Sequence, residues 1–386
     1  MPALALHASW ASAYGAWRHA GKVGARLARS PREDHALVSS AAGSGNLPHL
    51  LDDLREWLVD PEVEHYAIQG IQEYLVRQLE RDALRPDARA GQVLQERLFP
   101  GHAYGDAPTA AQARTLDSSR ASAWLSARLH PERMTLLLVG DLPPDAELKQ
   151  WVVGLMGQWG GSPSSREPQR QPAPPALPQA RTVVLVDRPG ASQAVLQLGL
   201  RWPVLDAAQE ATADALTWLL QERLRHQLRE ELGLTYGVHM WSTARPLATT
   251  LHLHTAVDAK AVAGALEMVL AELGTLEDTP LAPDSVERAR WQVARGYDLR
   301  FRTAASVASR LVELERMGRA PEHWEKYPEH LAAVTPASMQ ALVRQLSLGR
   351  EVVVITGDAA SLRPQLEAAG FQVEVLAPSA SGAPAP

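Results

Sequence analysis

Apolar and polar positions alternate or cluster in a pattern that recurs along the chain. His35 to Leu54 (HALVSSAAGSGNLPHLLDDL) reads as an alternating strand, a turn and a helix. Leu251 to Leu270 (LHLHTAVDAKAVAGALEMVL) reads the same way. Leu116 to Asp141 predicts an amphipathic helix and then an apolar strand, Thr135 to Val139, ending in Gly-Asp. Val334 to Asp358 predicts the same pair, with its strand at Val352 to Thr356. Both helices open on N-cap signals: Asp117 or Ser118 in one, and Thr335 followed by Pro336 in the other. Two further strands, Thr182 to Val186 and Gln193 to Arg201, precede a long helix from Ala207 to about Glu231.

The matched stretches lie about 215 and about 217 residues apart, so one α+β unit occurs twice. At that offset the counterparts of the strands at 182–186 and 193–201 fall before residue 1, and residue 1 falls within the helix. The first copy is therefore expected to be abbreviated. The fold class expected is α+β: two duplicated domains, each a mixed β-sheet backed by helices, with the N-terminal copy truncated. The expected boundaries are 1–157 for the first domain, 158–181 for a linker, 182–376 for the second domain and 377–386 for a disordered tail. The linker is read from Gly160 to Ala180, GGSPSSREPQRQPAPPALPQA, in which nothing is expected to pack a core.

Composition narrows the function classes. With 386 residues, two domains are the prior. A net charge of -6 gives no basic footprint for nucleic acid. Cysteine is absent, which excludes disulfides and thiolate metal sites. No apolar run reaches the roughly 18 to 20 residues of a membrane-spanning helix. Met1 to Lys22 lacks a basic segment ahead of an apolar one, so as written it is not a secretory signal. The compartment stays open: cytoplasmic as written, periplasmic if a signal lies upstream of Met1.

The stretch Arg223 to Trp241, RLRHQLREELGLTYGVHMW, resembles the C-terminal-domain signature of the pitrilysin/insulinase/mitochondrial processing peptidase family of zinc metallopeptidases, the inverzincin clan. Leu98 to Gly105, LFPGHAYG, resembles a loop in the first domain of that family, and the strand ending in Gly-Asp also has a counterpart there. The resemblance covers roughly residues 35 to 360 and is most specific at Arg229 to Tyr236. Relatives usually carry small, Gly-rich residues where this chain has Thr217 to Leu224, TWLLQERL.

Catalytic members of the family carry His-x-x-Glu-His, in which two histidines at i and i+4 hold one zinc and the glutamate acts as general base. The Glu-His pairs here, at Glu64, Glu322 and Glu329, are preceded three residues earlier by Pro61, Arg319 and Lys326, and none is His. The third ligand of relatives maps to Gln78, a poor ligand beside Arg77, with Glu73 and Glu80 as nearby replacements. The resemblance implies that Tyr236 hydrogen-bonds a scissile carbonyl and that Arg229 grips a substrate carbonyl or carboxylate. Spacing alone favours a plainer role, because an arginine near a helix C-terminus gains from the dipole and a tyrosine after it can simply pack.

Two other groups hold histidines close together in sequence. His252 and His254 share one predicted strand face and read as ordinary strand residues, lacking a third ligand. Glu322 to His330, EHWEKYPEH, reads as a solvated loop between helices. The function expected is a non-catalytic, substrate-binding subunit of a heteromeric zinc metallopeptidase. It would bind no cofactor of its own, with zinc held by a catalytic partner subunit and a peptide as substrate. The alternatives are an active zinc endopeptidase whose start lies upstream, and a structural or assembly subunit.

Overall fold

A computed structural model describes residues 26–59, 65–126, 129–156, 173–177 and 180–377. The expectations for Met1 to Lys22, for most of the linker and for the tail after Ala377 fall outside these residues. The first half holds an antiparallel hairpin of β1 (Arg26–Pro31) and β2 (Ala36–Ala41), followed by six helices. These are α1 (Leu47–Val59), α2 (His65–Ala83), α3 (Pro86–Leu98), α4 (Ala110–Arg114), α5 (Ser118–Ser126) and α6 (Asp145–Met156).

The second half is built on a six-stranded mixed sheet ordered β5-β6-β4-β7-β3-β8. Its strands are β3 (Thr182–Asp187), β4 (Gln193–Trp202), β5 (Thr235–Arg245), β6 (Ala248–Asp258), β7 (Val352–Gly357) and β8 (Val373–Leu376). Its helices are α7 (Ala207–Arg225), α8 (Val262–Asp278), α9 (Pro283–Tyr297), α10 (Ala304–Met317), α11 (His323–Ala332), α12 (Pro336–Val343) and α13 (Ala359–Ala368). Helices α1 to α6 recur as α8 to α13, with starts displaced by 213 to 218 residues. Helix α7 has no counterpart among the described residues.

The α+β class therefore stands, and the six-stranded sheet is the mixed sheet expected of the second copy. The first copy differs in its sheet. Thr135 to Val139, expected as a strand, belongs to no ladder among the described residues. Its equivalent, β7, lies between β4 and β3. Among the described residues the segment has no neighbouring strand to accept its hydrogen bonds.

Local chemistry sets the helix starts. Asp206 caps α7 in a capping box with Gln209, and Thr335 caps α12 in a box with Ser338 while Pro336 fills its first position. Asp117 Oδ1 accepts from the Arg120 amide at 2.8 Å at the start of α5. The segment Glu322 to His330 is not a loop. It forms α11, because His323, Tyr327 and Leu331 recur every four residues and are buried as one helical face. Tyr327 donates to Asp214 Oδ2 at 2.5 Å and stacks on Tyr297 at 5.1 Å.

One sheet face carries the main core, with Leu196, Leu198, Leu200, Leu251, Leu253, Val353 and Ile355 against α7 and α8. The opposite face is covered by α3 from the first half, whose Ala90, Val93, Leu94 and Leu98 pack on Val184, Val352 and Val354. The loop Leu98 to Gly105 follows directly. Phe99 is fully buried, with the guanidinium groups of Arg201 and Arg245 each 5.3 Å from its ring centre. Arg201 also donates to the Leu98 carbonyl at 2.9 Å and to the Pro175 carbonyl at 2.7 Å. Leu177 is buried in the same cluster, so the linker contributes to a core where the composition implied that it would not.

Gly105 closes this loop at a place that tolerates no side chain. A Cβ there would lie 2.4 Å from the Phe99 carbonyl oxygen and 3.0 Å from that of Gln95. Gly105→Ala is therefore expected to destabilise the protein by about 1–3 kcal/mol, the usual cost of overpacking. A thermal unfolding midpoint equal to that of the parent would show that the loop yields without cost.

Candidate substrate-binding site

Helix α7 does not end as a plain α-helix. From His226 to Glu231 it continues as a π turn, with the Leu232 amide bonded to the Gln227 carbonyl at 3.2 Å. Gly233 then takes φ +62°, the left-handed conformation of a helix C-cap, and the Leu234 amide reaches back to the Leu228 carbonyl at 2.8 Å. This tight reversal feeds the chain into β5, an edge strand of the sheet.

Polar contacts hold the π turn in place. Arg225 pairs with Glu222 and, at 2.5 Å, with Glu230. His226 Nδ1 lies 2.7 Å from Glu230, and its Nε2 lies 3.4 Å from Glu231. The hydrogen bond between His226 and Glu230 raises the pKa of the histidine and lowers that of the carboxylate. On the inner side Leu228 is buried, and Gln227 donates to Glu272 of α8 at 3.1 Å. Arg223 bonds the same buried Glu272 at 3.0 Å. The Thr217 to Leu224 stretch lies on α7, where Thr217, Leu219, Leu220 and Leu224 are buried.

Arg229 sits on the outer side of this turn, exposed, and among the described residues it has no ion pair or hydrogen bond. Tyr236 lies at a β-bulge. Thr235 pairs with Val257 and Val238 with Thr255, so Tyr236 and Gly237 together oppose a single residue of β6. Threonine hydroxyls pin the bulge: the Gly237 amide donates to Thr235 Oγ1 at 3.1 Å, and Thr255 Oγ1 donates to the Gly237 carbonyl at 2.9 Å. The bulge turns the Tyr236 side chain outward, where it is 86% exposed and without a hydrogen-bond partner among the described residues. A side chain needed only for packing would be covered. The π turn, the glycine cap and the bulge instead present an arginine fork and a phenol to solvent from the two sides of one reversal.

The zinc question has a geometric answer for the described residues. They contain no group of three His, Asp or Glu able to hold a metal ion. Glu73 pairs with Arg77 at 3.3 Å and Glu80 pairs with Arg114, so both candidate replacements for the ligand missing at Gln78 are neutralised on a helix surface. These residues do not fit a zinc centre.

His252 lies on β6, buried beneath Trp241, whose ring stacks on it at 5.2 Å. His254, two residues on, is half-buried and faces His239 in the register of β5 and β6. Neither belongs to the Arg229 and Tyr236 reversal. The sequence showed a helix followed by Gly and Tyr, but it showed neither the π turn nor the bulge. The signal that was available is the charge cluster Glu222, Arg225, His226, Glu230 and Glu231, denser than a simple solvated face requires.

Residues 116–293 match the family described as the peptidase M16 inactive domain, a little under half of the chain. The matched residues are similar to that inactive domain. The Arg223 to Trp241 signature lies inside the matched residues. The fold is shared with the peptidase M16 inactive domain from Pseudomonas fluorescens at 17% identity and a TM-score of 0.80, covering 92% of this chain and 87% of that one. A protease from Helicobacter pylori matches at 12% identity and a TM-score of 0.81, covering 92% and 89% of the two chains. The periplasmic protease PqqL from Escherichia coli matches at 16% identity and a TM-score of 0.76, with this chain spanning 40% of it. At these identities the likeness is one of fold. No curated protein matches the chain. Among the described residues, no helix is long and apolar enough to cross a membrane.

Two outcomes follow from this geometry. Gly233→Ala forces a Cβ into a left-handed conformation and is expected to cost about 1–2 kcal/mol, read as a lower denaturation midpoint. His252 tests the sheet face. Burial, helped by the charge of Arg245, holds its pKa down to about 4. In the unfolded chain a histidine titrates near 6.5, so between these values the unfolded state binds the extra proton. Stability contributed by neutral His252 is therefore present above that window and is lost as pH falls through it. His252→Gln is expected to flatten the decline in melting temperature between pH 7 and pH 4.5, and an unchanged slope would assign the decline to other groups.

Proposed function

We propose that the chain is a non-catalytic, substrate-binding subunit of a heteromeric zinc metallopeptidase that acts on peptides or small proteins. The observation that carries this reading is the presentation of Arg229 and Tyr236. Both are exposed and unpaired among the described residues, and both are held by backbone features that packing alone does not need. The match to an M16 inactive domain and the absence of His-x-x-Glu-His from the sequence support the non-catalytic part.

In this reading zinc and its general base belong to a catalytic family subunit, and this chain binds no metal. Tyr236 donates its hydroxyl to the scissile carbonyl, where negative charge develops during attack, and Arg229 engages a neighbouring carbonyl or carboxylate through two N–H groups. The exposure of the phenol lets it reach a substrate held by the partner. Strand β5 lies at the edge of the sheet, so an extended substrate can run alongside the residue that contacts its reacting carbonyl.

The test is reconstitution with a catalytic family subunit and a fluorogenic peptide. Tyr236→Phe should lower kcat by about 10²-fold, the usual cost of losing one oxyanion donor, while assembly is unchanged. Arg229→Ala should raise KM and lower kcat/KM with the pair still intact on gel filtration. Unchanged turnover in both variants would overturn the assignment. A stable complex that cleaves no peptide with any catalytic partner would favour a structural subunit instead.

A further inference from the structure

Beyond its bulge, β5 runs in regular register with β6 from Val238 to Arg245. Val238 and Met240 point into the main core, so His239 and Trp241 lie on the opposite face of the sheet. On β6, Leu251 and Leu253 are core residues, and His252 and His254 share that opposite face. Trp241 is the direct cross-strand partner of His252 and stacks on its ring at 5.2 Å, with 21° between the planes. His252 is buried, yet Trp241 is 46% exposed. One face of the indole is therefore seated on a buried ring while the side chain still meets solvent.

Such a ring on a sheet edge is a liability unless something uses it. Edge strands are commonly guarded by charges or proline. Strand β5 contains no Asp, Glu, Lys or Pro. Its arginine, Arg245, is turned inward against Phe99 and Tyr104. Among the described residues β5 pairs with β6 alone. The bulge that interrupts this edge sits at Tyr236 and leaves the stretch around Trp241 regular.

We infer that Trp241 is a specificity residue of this edge, and that its open face receives an aromatic side chain of an extended peptide running along β5 past Tyr236. The inference rests on the substrate-binding reading above and adds to it the class of substrate. Spacing sets which side chain is read. Ala256 stands opposite the Tyr236 bulge and His252 opposite Trp241, four residues along β6, so the two contacts lie about 13 Å apart. A peptide whose scissile carbonyl is at Tyr236 brings a side chain about four residues away onto the indole. Stacking on a ring already held in place costs little conformational freedom. A cationic side chain is disfavoured there. Burial, and then the charge of Arg245, hold the pKa of His252 down to about 4, and the same guanidinium opposes a second cation.

The probes are labelled extended peptides, identical except for Phe, Ala or Lys four residues from the central bond, titrated against the full chain by fluorescence anisotropy. The Phe peptide is expected to bind about tenfold tighter than the Ala and Lys peptides. Trp241→Ala should bring the ratio of Phe to Ala affinity close to one, and Trp241→Tyr, which keeps an aromatic ring on His252, should retain most of it. Equal affinity for the Phe and Ala peptides in the parent chain, a Lys peptide that binds as well as Phe, or a preference that survives Trp241→Ala would each overturn the inference. Turnover of the same peptides with a catalytic family subunit separates it from the reading it rests on. Tyr236→Phe should slow the Phe and Ala peptides alike and leave their ratio in place, whereas Trp241→Ala should change the ratio. A ratio that Trp241→Ala leaves untouched, with Tyr236→Phe still slowing both peptides, sinks the aromatic subsite alone.

Discussion

The seating of α3 on the six-stranded sheet is the contact on which the rest of the molecule depends. A helix contributed by the first half covers Val184, Val352 and Val354, which would otherwise leave the central strands bare on one face. The loop after α3 then locks the arrangement. Phe99 enters between Arg201 and Arg245, and burial lowers the pKa of both cations. Each is compensated by an aromatic face and by hydrogen bonds rather than by full hydration. Tyr104 packs edge-on against Phe99 at 5.4 Å, and burial, reinforced by the charge of Asp34, pushes its phenol up to about 12. The LFPGHAYG stretch is thus an internal fastening between the halves, not an exposed loop.

With that fastening in place, the opposite sheet face is free to carry α7, and α7 sets the candidate site. Its capped N-terminus, its buried inner face and the bonds from Arg223 and Gln227 to Glu272 fix the helix along its length. The π turn, the Gly233 cap and the β-bulge fall together in its last turn and the first residues of β5. Departures from regular geometry gathered in one short reversal are where functional side chains are commonly found.

Much of this was legible in the sequence, for physical reasons. The strands of the second half were readable because a sheet covered on both faces demands continuous or alternating apolar runs, as in Thr182 to Val186 and Val352 to Thr356. The helix starts were readable from Asp117, Thr335 and Pro336, because capping is local chemistry. The duplication was readable because two patterns shared one offset, and helix pairs at 213 to 218 residues now extend it. What misled were features decided by tertiary context. Thr135 to Val139 has the pattern of a strand, but a strand exists only where a neighbour accepts its hydrogen bonds. The EHWEKYPEH segment looked solvated because its charged residues outnumber its two buried side chains, His323 and Tyr327. Leu177 gave no local sign that a proline-rich stretch would anchor itself. The π turn was invisible because it uses the same residues as an α-helix.

That turn makes chain length, rather than composition, the sensitive variable near Arg229. Successive residues of an α-helix advance by about 100° around the axis, so one extra residue in a turn swings everything beyond it by that angle. The outward direction of Arg229 therefore rests on a register offset within Arg225 to Leu232. A single-residue deletion there would keep every charge in the neighbourhood and a plausible helix, yet would rotate the guanidinium away while leaving Tyr236 on its bulge. Chains that share these residue types but differ by one position between the helix and the edge strand would carry the same chemistry pointed elsewhere.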